Sequence, residues 1–85
     1  MWINGQVVDK RGRPLAGVTV QANGPSSLPS PRVAVSNAAG QYVMCDLRPG
    51  VYTITFARPG FSTQKRKSVE LGAFVATVNA ELQSL

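Results

Sequence analysis

Residues 47–57 read Leu47-Arg48-Pro49-Gly50-Val51-Tyr52-Thr53-Ile54-Thr55-Phe56-Ala57, a turn followed by strict alternation. Pro49 fixes its own φ and has no backbone donor, and Gly50 tolerates backbone that other residues avoid, so the chain reverses here. Beyond the turn, Tyr52, Ile54 and Phe56 share one face while Thr53 and Thr55 share the other. A period of two in β-branched and aromatic residues predicts a strand with one buried face. Leu47-x-Pro49-Gly50-x-Tyr52 also has the spacing of a tyrosine corner, in which a Tyr near a strand start packs its ring inward and donates its hydroxyl to backbone upstream.

The same period recurs on both sides of this strand. Gln41–Cys45 returns from a hairpin-like turn at Asn37-Ala38-Ala39-Gly40, and Arg32–Ser36 before it is expected to turn Val33 and Val35 inward. Gly17–Asn23 alternates Val18, Val20 and Ala22 against Thr19 and Gln21, and Trp2–Val8 places Ile3, Gly5 and Val7 on one side. Between them Asp9-Lys10-Arg11-Gly12 is a turn. Toward the C-terminus, Pro59-Gly60 breaks the chain, and Gln64–Leu71 reads as a polar strand. Phe74–Leu82 alternates Ala76, Val78, Ala80 and Leu82 against Thr77, Asn79 and Glu81. Gly24–Pro31 carries three prolines in eight residues and is a loop. Seven short strands with turns between them predict an all-β, two-sheet sandwich, a single domain over residues 1–85 with no internal repeat or linker.

Composition narrows the chemistry. The chain has 85 residues, 44% of them apolar, which is enough for one core and too apolar for a disordered segment. It contains no histidine, which removes His-ligated zinc sites and Ser-His or Cys-His nucleophile pairs. No paired-carboxylate motif stands in for them, so the reading is not an enzyme, with no catalytic, metal or cofactor residues. The lone Cys45 can form no disulfide within the chain and is expected to be a small buried hydrophobe. No apolar run is long enough to span a membrane, and Met1-Trp2-Ile3 leads straight into strand-like sequence without a signal peptide. Trp2 either caps the core or offers an exposed contact to a neighbouring domain.

Three stretches are more specific than periodicity. They are Gly5-x-Val7-x-Asp9-x-x-Gly12-x-Pro14-Leu15-x-Gly17-Val18-x-Val20, then Gly40-x-Tyr42 followed by Leu47-Arg48-Pro49-Gly50-x-Tyr52-Thr53, then Pro59-Gly60-Phe61. In this order and spacing the chain resembles the carboxypeptidase regulatory-like domains, from about Ile3 to Leu82. The resemblance implies a seven-stranded, Ig-like or prealbumin-like β-sandwich of Greek-key type without catalytic residues. It also implies an accessory part of a larger periplasmic, outer-membrane or secreted protein, with attached domains or another protein as partner. Leu-x-Pro-Gly-x-Tyr also occurs in fibronectin type III sandwiches, but the N-terminal signature argues against that fold. Asp9, Gly12, Pro14, Gly40, Gly50, Tyr52 and Gly60 are read as fold devices: turn formers, a rigid strand entry and the corner tyrosine.

Partner contact then falls to charge and loops. Net charge is +5, and an accessory domain using it would bind a glycan or an anionic surface. The candidates are Arg11, Arg13 and Arg48, in turns that could meet at one end of the sandwich, and the run Lys65-Arg66-Lys67. In a strand Lys65 and Lys67 face one way and Arg66 the other, so the run also reads as a charged edge that discourages edge-to-edge pairing. Without interleaved exposed aromatics it does not read as a nucleic-acid site. Ser27 and Leu28, in the proline-rich loop, are a further candidate contact. Lys10, Asn79 and Glu70 supply the residue types of an isopeptide cross-link, but a turn lysine and an asparagine on a polar face argue against their burial together.

Overall fold

The computed structural model of the chain describes residues 2–24, 32–45, 47–72 and 75–85. Its strands are β1 (Trp2–Asp9), β2 (Thr19–Asn23), β3 (Arg32–Val35), β4 (Gln41–Met44), β5 (Gly50–Ala57), β6 (Gln64–Leu71), β7 (Val75–Thr77) and β8 (Ala80–Leu82). In one sheet β1 is central, antiparallel to β4 on one side and parallel to β7 and β8 on the other. The second sheet runs β3-β2-β5-β6 and is antiparallel throughout. One flank of the sandwich therefore brings the edge strands β3 and β4 together, and the other brings β6 to β7 and β8.

The core lies where the alternation places it. Ile3 and Val7 of β1 face Val18, Val20 and Ala22 and the Tyr52-Ile54-Phe56 row of β5, all buried. Burying each large side chain is worth about 1.5–3 kcal/mol. Tyr42 and Phe56 meet edge to face at 5.7 Å and 74°, an aromatic contact that ties one sheet to the other. The tyrosine corner forms as its spacing predicts: Tyr52 is fully buried and its hydroxyl donates to the Arg48 carbonyl at 2.5 Å. Leu15 closes one end of the core, with Pro14 bridging to Val8.

Among the described residues eight strands replace the expected seven, because the last one is interrupted. Trp2 opposes Val75 and Val7 opposes Ala80 in the same parallel register, so β7 and β8 are two halves of one strand. At the step between them Val78 donates its N–H to the Asn4 carbonyl at 2.7 Å, and its own carbonyl accepts from the Tyr42 hydroxyl. The Gln6 N–H, which a continuous strand would meet with a backbone oxygen, instead donates to Oδ1 of Asn79 at 2.9 Å. Gly5 makes room for this: a Cβ there would stand 1.9 Å from the Val78 oxygen. Burial holds the Tyr42 phenol above its ordinary pKa, so it stays a proton donor.

Two expectations need correction. Val33 and Val35 point outward, not inward, and Ala34 packs against the core. The cause is Ser36, which is buried: its hydroxyl accepts from the Val18 N–H at 3.0 Å and donates to the Leu15 carbonyl at 2.7 Å. With Ser36 fixed inward, a period of two places Ala34 inside and both valines outside. Cys45 is exposed rather than buried, because it follows the inward-facing Met44 by one residue.

Candidate functional site: two ends and an unguarded flank

At one end of the sandwich stand two turns with the same wiring. Oδ1 of Asp9 accepts from the N–H groups of Arg11 at 2.8 Å and Arg13 at 2.9 Å, and the Asp9 carbonyl accepts from Gly12 at 2.9 Å. Oδ1 of Asn37 accepts from Ala39 at 2.9 Å and Gln41 at 3.0 Å, and the Asn37 carbonyl accepts from Gly40 at 2.8 Å. Gly12 and Gly40 adopt φ of 81° and 75°, which only glycine takes without strain. The Arg13 N–H, outweighing the opposing effect of burial and helped by Arg11, holds the Asp9 carboxyl below its ordinary pKa.

The basic candidates do not converge. Arg11 and Arg13 are exposed in the Asp9 turn, where β1 ends, whereas Arg48 is exposed beyond the end of β4, which runs antiparallel to β1. They therefore sit at opposite ends of the sandwich, against the expectation that they could share one. Arg13 reaches Asp9 at 4.0 Å, an exposed ion pair of little energetic consequence. Lys65, Arg66 and Lys67 are exposed along β6, and Arg66 crosses to the other sheet to donate to the Asn79 carbonyl at 3.4 Å. The β5–β6 register shifts between Tyr52 and Ile54, which puts Lys67 and Ser68 in a bulge where Ser68 has φ 58°. Ser27 and Leu28 lie outside the described residues. Lys10, Asn79 and Glu70 are all exposed, and Lys10 and Glu70 stand at opposite ends.

The β3–β4 flank is of another kind. Val33, Val35 and Val43 are 58%, 60% and 52% exposed there. They line an open groove of about 830 Å³ together with Asn4, Gln6, Asn37, Gln41, Thr77 and Asn79. The chain has nine Lys and Arg and four Asp and Glu, yet none of the described ones lines this groove. The amides are oriented: Oδ1 of Asn4 accepts from Thr77 at 2.9 Å, and Nε2 of Gln6 donates to the Ala39 carbonyl at 2.9 Å. Sequence reasoning missed this surface because it placed both valines of β3 in the core.

The sandwich, its corner tyrosine and its Asp9 turn carry the three motif stretches, and the family model of the carboxypeptidase regulatory-like domain matches residues 2–83. The chain belongs to that family. As a carboxypeptidase regulatory-like domain it is similar in fold to several solved structures. One is a type II cohesin–X-dockerin complex from Acetivibrio cellulolyticus, carrying a C-terminal interface mutation, with TM-score 0.81 and 16% identity over 99% of this chain and 58% of that one. Another is 3-chlorocatechol 1,2-dioxygenase from Rhodococcus opacus 1CP, with TM-score 0.73 and 12% identity over 99% and 59%. A third is the Bacillus anthracis TIE protein, with TM-score 0.73 and 13% identity, in which the match spans 16% of the longer chain. The domain thus spans little more than half of the first of these chains. At such identities the likeness is one of fold. No curated protein sequence matches the chain significantly.

Proposed function

We propose that this carboxypeptidase regulatory-like domain is a non-catalytic interaction module of a larger extracytoplasmic or outer-membrane protein, and that it works by docking a neighbouring domain or another protein. The observation that carries the reading is the contrast between its flanks: β6 is charged and bulged, while the β3–β4 flank presents three exposed valines beside an uncharged groove. Exposed apolar groups clustered on one side of a small domain mark an interaction surface. The similar fold within a cohesin–X-dockerin complex supports a module that acts beside partners. An anionic ligand would draw instead on arginines and lysines that stand at two ends and along one edge, too dispersed for one site. The test is an immunoblot of fractionated source cells with antibody against the domain. A band much larger than 9.0 kDa in envelope or secreted fractions is expected. A band of the domain's own size in the cytoplasm would overturn the reading.

A further inference from the structure

We propose that the open flank receives an extended, uncharged segment of a partner protein as an added strand on the free edge of β3. This rests on the interaction-module reading and names the surface it uses and the chemistry it accepts.

Hydrogen-bond phase decides which groups are free. Ser36 donates its N–H to the Val18 carbonyl at 3.0 Å and accepts from Gly17 at 3.0 Å. In an antiparallel ladder the residues bonded to the partner alternate with residues whose N–H and C=O point away from it. Ala34 and Arg32 therefore bond toward β2, and Val33 and Val35 direct their backbone groups to the outside. On β4, Val7 donates to the Gly40 carbonyl at 2.8 Å, so Tyr42 and Met44 bond toward β1 and Gln41 and Val43 face out. The backbone groups of Gln41 are taken by Asn37, at 2.9 and 3.0 Å. That leaves Val33, Val35 and Val43, which among the described residues have no partner for their outward groups. The same three valines are the exposed apolar residues of the groove.

An edge with open backbone groups and β-branched side chains is a template for strand addition unless charges, prolines or bulges guard it. The β6 edge has such guards in Lys65, Arg66 and Lys67 and in the bulge at Ser68. Along β3 the described residues offer only Arg32, at its first position. The guest must be uncharged because no charged side chain among the described residues lines the groove to meet it. It must carry apolar groups at alternate positions, because Val33 and Val35 share one face. A glycan fits less well, since among the described residues the one aromatic in the groove, Tyr42, is buried and offers no stacking platform. A second copy would bring together two chains of net charge +5.

The experiment titrates the isotope-labelled domain with an acetylated, amidated Thr-Val-Thr-Val-Thr-Val peptide and follows backbone amides by NMR. Shifts at Val33, Val35 and Val43 and slowed hydrogen exchange at the Val33 and Val35 amides are expected, with Lys65–Lys67 unmoved. Val35→Pro deletes an outward donor without touching the bonds to β2 and should abolish binding. Val33→Lys guards the edge and should weaken binding by about tenfold or more. Both variants should melt as the parent does. No perturbation at millimolar peptide, shifts on β6 instead, or undiminished binding by Val35→Pro would overturn the proposal. So would a doubled mass in light scattering with the Val33 and Val35 amides protected, which means a second copy. A neutral glucan oligosaccharide perturbing these amides where the peptide does not would also overturn it. If the immunoblot shows a small cytoplasmic chain while the peptide still adds to β3, the module reading falls and the edge remains.

Discussion

Ser36 and Tyr52 are both buried hydroxyl residues, and only one of them can be found by reading along the chain. Tyr52 announces itself through Leu47-x-Pro49-Gly50 upstream, a turn that has to be capped. Ser36 has no local signature, because its partners Leu15 and Val18 lie in a distant segment that only tertiary contact brings near. Ser36→Ala leaves a buried N–H and a buried C=O unpaired and should cost about 1–3 kcal/mol, read as a lower urea midpoint with an unchanged slope. Tyr52→Phe removes one hydrogen bond and keeps the ring, so about 0.5–1.5 kcal/mol is expected. The twin turns permit a sharper test. The Asp9 carboxyl is held below its ordinary pKa by the N–H groups of Arg13 and Arg11. A depressed folded pKa contributes stability that is present above the unfolded value, 3.8, and is lost as pH falls through the folded one. Asn37 makes the same bonds with an amide that does not titrate in this range. Asp9→Asn should therefore keep the turn and flatten the acid limb of stability below about pH 4, measured by thermal melts across pH. An unchanged acid limb would mean that Asp9 contributes nothing to it.

At the scale of elements, alternation located β1, β2 and β5 and their inward faces, because there local pattern and burial agree; it located β4 as a strand, but Cys45, read as buried, faces out beside the buried Met44. It failed where a polar side chain replaced a backbone partner. The sequence of Phe74–Leu82 alternates through Val78-Asn79, yet the strand opens there because Asn79 supplies the acceptor for Gln6 from its side chain. Nothing in the alternation distinguishes an asparagine that faces solvent from one that completes a ladder. In the same way the valines of β3 read as core until Ser36 fixes the opposite phase. The step between β7 and β8 depends on Gly5, whose added Cβ would meet the Val78 backbone at 1.9 Å. Backbone cannot swing aside as a flexible side chain can. Gly5→Ala should therefore destabilise at the upper end of the roughly 1–3 kcal/mol range for overpacking. Its hydrogen exchange should be fastest at Val78 and Gln6, the two N–H groups bonded across the step. Asn79→Ala removes one acceptor at an exposed site and should cost less, about 0.5–1.5 kcal/mol.

For the molecule as a whole, what the sequence left illegible is which of its two flanks is closed to neighbours. Net charge shows only that copies repel, and placement decides which edge is safe. The Lys65-Arg66-Lys67 run was legible as an edge guard from its alternation, and the structure sets it on the edge strand of its sheet. If placement matters more than total charge, replacing Lys65, Arg66 and Lys67 with threonine should open the second flank. The variant should self-associate in light scattering at concentrations where the parent is monomeric. Replacing Lys10, Arg11 and Arg13 with threonine removes the same charge from the Asp9 turn, whose bonds come from backbone N–H groups and survive the change. That control should remain monomeric. Equal association of the two variants would show that net charge alone keeps copies apart, and the contrast between the flanks would then lose its meaning as a mark of function. Association confined to the β6 variant would mean that the domain guards one edge, and that Val33, Val35 and Val43 stand on the side left open.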